Sequence, residues 1–187
     1  MRALPDIEHL KALGVTPHYF GLGFIQLKLD DTRRLHFWVP EWPTIPGSES
    51  ELHDHRYDFS SSVLKGAVEH DIFALGPVHA TAFEGCLELV HVTCKPGGAQ
   101  EPQVVGYTQA VPIGTFEITA GCTYHLSQEA FHRAHSIGPT VTYVERSAVT
   151  RELARVVRTP GAAFTCPFSL TFSAEECWSK INDILRA

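Results

Sequence analysis

Two histidines separated by a single residue carry the strongest chemical signal in this sequence. His53 and His55 flank Asp54. Alternate side chains of a β-strand project to the same face, so on a strand the two imidazoles would point the same way, close enough to share one ion. Neutral imidazole is a common ligand of divalent first-row metals. The pair therefore predicts a metal site; the alternative is a pair of surface histidines that bind no metal.

The residues around this pair resemble the first motif of the cupin superfamily, usually written G-x5-H-x-H-x3,4-E-x6-G. Gly47 precedes the pair by five intervening residues, and Gly66 closes the pattern at the expected distance. The segment from Gly121 to His132 has the spacing of the second cupin motif, usually written G-x5-P-x-G-x2-H-x3-N. The resemblance implies an all-β fold, the double-stranded β-helix or jelly-roll barrel. It also implies one metal ion bound inside that barrel by His53, His55 and His132.

The first motif departs from the family pattern at its carboxylate. Phe59 occupies the position of the metal-binding glutamate, and Asp58 stands one residue earlier. On a regular strand Asp58 would face away from the two histidines, whereas a β-bulge could turn it inward as a fourth ligand. We therefore expect three histidine ligands, with Asp58 as the alternative fourth.

The second motif departs from the pattern at its turn. Ser127 and Glu129 stand in place of its proline and glycine, and Ser136 in place of its final asparagine. The histidine spacing is intact. If the register were shifted, His125 rather than His132 would be the third ligand.

Other polar side chains could hydrogen-bond to the ligands of such a site. Four candidates that fall in strand patterns are His70, Tyr124, Tyr143 and His91. The alternative for each of them is a structural role in the core or on the surface, with its hydrogen bonds satisfied. His36 and His135 are expected to be structural or exposed.

Three neutral imidazoles would leave coordination positions of the ion free and would not cancel its charge. Such a centre attracts an anionic, chelating substrate and favours its deprotonated form. Fe(II) in this setting can also hold O2 beside the substrate, and three-histidine cupins are a variation on the two-histidine, one-carboxylate oxygenase site. Fe(II) is the favoured ion, although Zn, Ni or Mn would fit the same ligands.

Three classes of function follow from the resemblance. The first is a dioxygenase acting on a small chelating substrate, the second a lyase or isomerase that uses the metal only as a Lewis acid, and the third a binding or sensing protein without turnover. Thiol dioxygenases also combine three histidines with a cupin barrel, but their Ser-His-Tyr relay has no S-x-H-x-Y counterpart after His132.

The elements that must position these residues are mostly short strands. Period-two alternation of apolar and polar residues, interrupted by Gly-Pro turn signals, predicts an antiparallel sandwich or barrel. The predicted strands cover residues 20–29, 34–39, 61–73, 78–83, 87–93, 104–110, 115–120 and 141–146.

A short helix is predicted at each end of this β-rich region. An apolar helical repeat ends at Gly14, and Ser173 with Glu176 forms a capping-box pattern. The following stripe of Trp178, Ile181 and Leu185 is expected to pack on the barrel. We expect one domain, with an N-terminal helical segment over 1–18, the β-barrel over 19–158, and a tether and C-terminal helix over 159–187.

The composition of the chain limits the classes of partner that it is expected to bind. With 187 residues, a net charge of −6 and no basic patch, the chain is not expected to bind nucleic acid. Its lack of a long apolar run disfavours a membrane span, and the acidic N-terminal sequence disfavours a signal peptide. Five cysteines without a C-x-x-C pair fit a reducing cytoplasm. The expected partners are a small-molecule substrate and, through an edge strand, a second copy in a homodimer.

Overall fold

The computed structural model describes residues 3–47, 52–93 and 101–187. Cys94, one of the five cysteines, lies outside these ranges. The helices are α1 (Ile7–Ala12) and α2 (Ala174–Arg186). The strands are β1 (His18–Phe20), β2 (Phe24–Lys28), β3 (Arg33–Trp38), β4 (Leu52–His53), β5 (Phe59–Lys65), β6 (Ala67–Leu75), β7 (Leu87–Val92), β8 (Gln103–Thr108), β9 (Ala110–Thr119), β10 (Thr123–Leu126), β11 (Phe131–Ser136), β12 (Thr140–Arg146) and β13 (Ala154–Arg158).

The strands form two antiparallel sheets. The six-stranded sheet has the order β1-β2-β3-β12-β5-β10, and the seven-stranded sheet has the order β8-β7-β13-β4-β11-β6-β9. Strands distant in the chain lie side by side, with β12 between β3 and β5 and β11 between β4 and β6. This interleaving is the topology of a jelly roll, so the predicted all-β double-stranded β-helix with short terminal helices is confirmed.

The six-stranded sheet has two different faces because its side chains alternate. Its outer face packs under α2, where Cys177, Ile181 and Ile184 are buried. The buried residues of that outer face are Ile25, Leu27, Leu35, Phe37 and Val141. Phe24, Trp38 and Val63 on the inner face pack against Val68 of the other sheet and fill one end of the barrel, called here the closed end.

Both predicted helices are present, and the predicted capping box of α2 is formed. The Ser173 side chain accepts a hydrogen bond from the Glu176 backbone N–H, and the Glu176 carboxylate accepts one from the Ser173 backbone N–H. Asp6 caps the N-terminus of α1. The helix ends before Gly14, which has a φ of 68°. No helix in the described part of the chain is long and apolar enough to cross a membrane.

The chain passes from one sheet to the other at Gly66. The predicted strand over 61–73 is therefore two strands, β5 in the six-stranded sheet and β6 in the seven-stranded sheet. Gly66 has a φ of 74°, and a Cβ atom there would lie 2.3 Å from Thr140 Oγ1 and 2.7 Å from the Pro139 carbonyl oxygen. Only glycine fits this crossing.

The predicted strand over 78–83 is wrong. Only His79 makes a β-bridge in this segment, with Tyr107, and Val78 is largely exposed. Without a neighbouring ladder or a buried face, β-branched and aromatic residues do not by themselves form a strand. Four observed strands lie wholly outside the predicted segments, namely β4, β10, β11 and β13, and β1 overlaps these segments only at Phe20.

Candidate metal centre

Two neighbouring strands of the seven-stranded sheet bring the distant histidines together. β4 contains only two residues and lies between β11 and β13. His53 at its end is the direct cross-strand partner of His132 on β11. His55 lies just beyond β4, in the segment that leads to β5. Backbone pairing therefore joins residues that are far apart in the chain.

The three imidazoles face one another. The Nε2 atoms of His55 and His132 are 2.9 Å apart. The ring centroids of His53 lie 4.7 Å from His132 and 5.2 Å from His55. One nitrogen of each ring lies within 4.8 Å of the others, His132 being buried and the other two half-buried. We call these three residues the histidine triad.

The donor set of the triad fits a divalent first-row ion. Imidazole nitrogens bind such ions at about 2.1 Å. Two nitrogens bound to one ion at a right angle are then about 3 Å apart, close to the observed separation between His55 and His132. His53 and His55 are half-buried, so part of each residue remains accessible to solvent. The triad could therefore hold a metal and still admit a further ligand.

A hydrogen-bonded chain runs from the triad into the barrel. Nδ1 of His132 lies 3.0 Å from Nδ1 of His70, and Nε2 of His70 lies 2.9 Å from the Tyr124 hydroxyl. His70 is 3% exposed, and its ring stacks on His132 at an interplanar angle of 17°. These contacts fix the ring orientation of His132, because each nitrogen of His132 then has a defined neighbour.

Burial keeps the triad histidines neutral. Desolvation lowers the pKa of His53 to about 4 and that of His70 to about 4. The pKa values of His55 and His132 are also well below the ordinary value, first through burial and then through the neighbouring histidines. Burial raises the pKa of Tyr124 to about 12. Neutral imidazole is the form that binds a metal.

A buried carboxylate holds the segment between the two motif histidines. Asp54 is 1% exposed and accepts hydrogen bonds from the backbone N–H and Nε of Arg155, at 2.7 Å and 2.6 Å. The Arg151 guanidinium lies 3.0 Å from the same carboxylate and also donates to the carbonyls of His55 and Gln128. We call Asp54, Arg151 and Arg155 the Asp54 clamp.

The two alternative ligands, and one of the residues expected to hydrogen-bond to a ligand, lie elsewhere. Asp58 is exposed and accepts a hydrogen bond from the Gln128 backbone N–H at 2.7 Å. His125 is exposed on β10, with its Nδ1 atom 2.7 Å from Ser60 Oγ. Tyr143 packs with the apolar cluster under α2, and its hydroxyl donates to Glu145. The structure brings none of the three into the triad.

Sequence reasoning missed three residues close to the triad. Tyr57 stacks on His55, with ring centroids 5.7 Å apart, and the Arg34 guanidinium lies over the Tyr57 ring. His36 lies inside the barrel against Phe24, and burial followed by the charge of Arg34 lowers its pKa to about 3. Alternation along β3 was the available signal, since Arg34 and His36 must share the face opposite Leu35.

Comparison with known proteins gives a distant structural likeness. No family model and no curated protein sequence matches the chain. A hydroquinone 1,2-dioxygenase in complex with Cd2+ and 4-hydroxybenzonitrile matches at 15% identity over 65% of this chain and 61% of its own, with a TM-score of 0.35. The hydroquinone 1,2-dioxygenase of Sphingomonas sp. TTNP3, with 4-hydroxybenzoate bound, matches at 10% identity over 64% and 63%, with a TM-score of 0.32.

An L-ribose isomerase is similar to the same degree. The enzyme of Acinetobacter sp. DL28, in complex with L-ribose, matches at 13% identity over 79% of this chain and 56% of its own, with a TM-score of 0.29. The chain thus spans less than two thirds of the length of each of these three structures.

Proposed function

We propose that this protein is a metal-dependent enzyme of the cupin superfamily. His53, His55 and His132 bind one divalent ion, with Fe(II) favoured over Zn, Ni or Mn. The reaction proposed is the dioxygenation of a small chelating substrate. The observation that carries the proposal is the convergence of three neutral imidazoles, from separate parts of the chain, on one partly open position inside a β-barrel.

The ligand set gives the reason for this choice of chemistry. A ferrous ion with three neutral ligands supplies open coordination positions for a chelating substrate and for O2. The chain itself positions and shields the site. The Phe59 ring lies 4.9 Å from the His55 ring and takes the place of the glutamate in the cupin motif. An apolar group at that position excludes water and adds no negative charge.

His70 and Tyr124, which lie behind the triad, fix the proton positions. If Nε2 of His132 offers its lone pair to the ion, its proton resides on Nδ1 and is donated to Nδ1 of His70. His70 then carries its own proton on Nε2 and donates it to the Tyr124 oxygen. The chain from Tyr124 to His132 therefore holds His132 in the tautomer that a metal needs.

Metal analysis of the His132→Ala variant tests the proposal. Wild-type protein, purified without chelator or metal-affinity resin and then loaded with Fe(II) under anaerobic conditions, is expected to retain about one ion per chain. His132→Ala is expected to bind Fe(II) more than about 100-fold more weakly, because one of three ligands is lost. Elemental analysis after gel filtration and an affinity titration measure both effects.

A matched control lies on the same strand. His135 is exposed and pairs with Glu69 at 3.0 Å, so His135→Ala should retain the metal. Equal metal loss in both variants, or full retention in His132→Ala, would contradict the assignment of the triad. His125→Ala tests the shifted register in the same way and is expected to retain the metal.

A second prediction concerns the residue behind the triad. His70→Ala is expected to weaken metal binding about 10- to 100-fold, because His132 loses the hydrogen bond that orients its ring. Tyr143→Phe is the control, since Tyr143 donates to Glu145 away from the triad. The affinity titration that is used for His132→Ala measures both variants, and an unchanged affinity in His70→Ala would show that the ring is held by packing alone.

O2 consumption separates the proposed reaction from its alternatives. A dioxygenase loaded with Fe(II) consumes O2 in proportion to product, whereas a cupin lyase or isomerase turns over without O2 and equally well with a redox-inert ion. A binding or sensing protein shows no turnover in either assay. The homodimer and the cytoplasmic location stay predictions.

A further inference from the structure

Basic side chains line the inner face of the six-stranded sheet at the end opposite the closed end. Lys28 and Arg34 are cross-strand partners on β2 and β3, and Arg34 is the partner of Val144 on β12. Arg146 lies two residues beyond Val144 and therefore on the same face. His36, two residues before Trp38, continues this face towards the closed end.

This basic group lies beside the triad. The Cζ atoms of Arg34 and Arg146 lie 5.5 Å and 5.1 Å from the centre of the Tyr57 ring. Tyr57 itself stacks on His55 at an interplanar angle of 28°.

The positive charges here have no acidic partner among the described residues. No carboxylate of the described segments lies within 4.0 Å of the side-chain nitrogens of Lys28, Arg34 or Arg146. Arg33, next to Arg34 but on the outer face, is paired with Asp30 at 2.5 Å. Two guanidinium groups that share one aromatic ring repel each other, and a bound anion would relieve that repulsion. The whole chain has a net charge of −6, so this cluster of positive side chains is a local exception to its overall negative charge.

We infer that the site takes a small metal-chelating organic acid. Its carboxylate is bound by the guanidinium of Arg34, with Arg146 adding positive charge. Its apolar body lies against the rings of Tyr57 and Phe59. Its chelating oxygens reach the ion on the histidine triad. This substrate class rests on the proposed function, because the chelating end requires the metal.

A pair of probes that differ only in a carboxylate tests the inference. Catechol and 3,4-dihydroxybenzoate are titrated into Co(II)-loaded protein, and changes in the visible spectrum of Co(II) report binding. Wild-type protein is expected to bind 3,4-dihydroxybenzoate at least about 10-fold more tightly than catechol, as a charge-assisted arginine–carboxylate contact would give. Arg34→Gln is expected to remove this preference and to change catechol affinity less than about 2-fold.

Arg33→Gln is the matched control, with the same chemical change one residue away on the opposite face. It should keep the wild-type preference for the acid. Equal affinities of the two probes in wild-type protein, weak binding of both, or the same preference in Arg34→Gln as in Arg33→Gln would overturn the inference while the metal site stands. Failure of wild-type protein to bind Co(II) would overturn the proposed function, and the inference with it.

Discussion

Replacing Asp54 with alanine is expected to lower the free energy of unfolding by about 3–5 kcal/mol. The substitution leaves two guanidinium groups of the Asp54 clamp without their buried carboxylate. It also removes the acceptor of the Arg155 backbone N–H. Arg151 and Arg155 keep the exposed Glu129 carboxylate as a second partner, but the substitution still breaks a buried, hydrogen-bonded ion pair, which is among the more destabilising changes that a single substitution makes. Urea unfolding of the metal-free protein, monitored by circular dichroism, measures the effect.

Asp58→Ala is the matched control for this prediction. Asp58 is exposed and loses one hydrogen bond, from Gln128, so its substitution should cost about 1 kcal/mol. Because Asp54 lies between His53 and His55, its variant should also lose metal affinity under conditions where it remains folded. Equal destabilisation by the two substitutions would show that the clamp contributes no more than a surface contact.

The metal-free protein is expected to lose stability steeply when the pH falls from 6.5 to 5. Folded-state pKa values are about 4 for His53 and His70 and about 3 for His36, against 6.5 for an unperturbed histidine. Below pH 6.5 the unfolded chain therefore binds protons that the folded chain does not, so stability present above 6.5 is lost on acidification. Each such histidine contributes a slope of up to about 1.4 kcal/mol per pH unit.

Urea unfolding at several pH values in the presence of a chelator checks this dependence. His36→Gln removes one of the titrating groups without touching the triad, and should reduce the slope by the share of one histidine. His125→Gln changes an exposed ring and should leave the slope as in the wild type. A flat profile between pH 6.5 and 5, or stability that rises on acidification, would contradict the burial of these rings.

The fold could be predicted from sequence where one face of a strand is apolar. β2, β3 and β12 carry apolar residues at alternate positions on the outer face, and their segments were located because that face packs under α2. β11 was missed because its sequence, FHRAHS, places His132 and Ala134 inward and Phe131, Arg133 and His135 on the opposite face, so neither face has an apolar period. A strand that carries a polar site interrupts the pattern by which strands are found.

The site could be predicted only where a motif carried it. His53 and His55 were found from their spacing, and His132 from the resemblance to a known family. His70 and Tyr124 were candidates from strand placement, yet their contact with each other depends on pairing between β6, β11, β5 and β10 that no local pattern contains. Arg34 required the face of β3 to be followed across three strands.

The single-residue crossing at Gly66 limits how this barrel could be engineered. Gly66 connects the strand that carries Phe59 directly to the strand that carries His70. Thr140 Oγ1 stabilises this connection by accepting a hydrogen bond from the Ala67 N–H. The two sheets cannot move apart at that end without disrupting this connection. A designer who wishes to accommodate bulkier compounds would therefore have to redesign the opposite rim, around Tyr57.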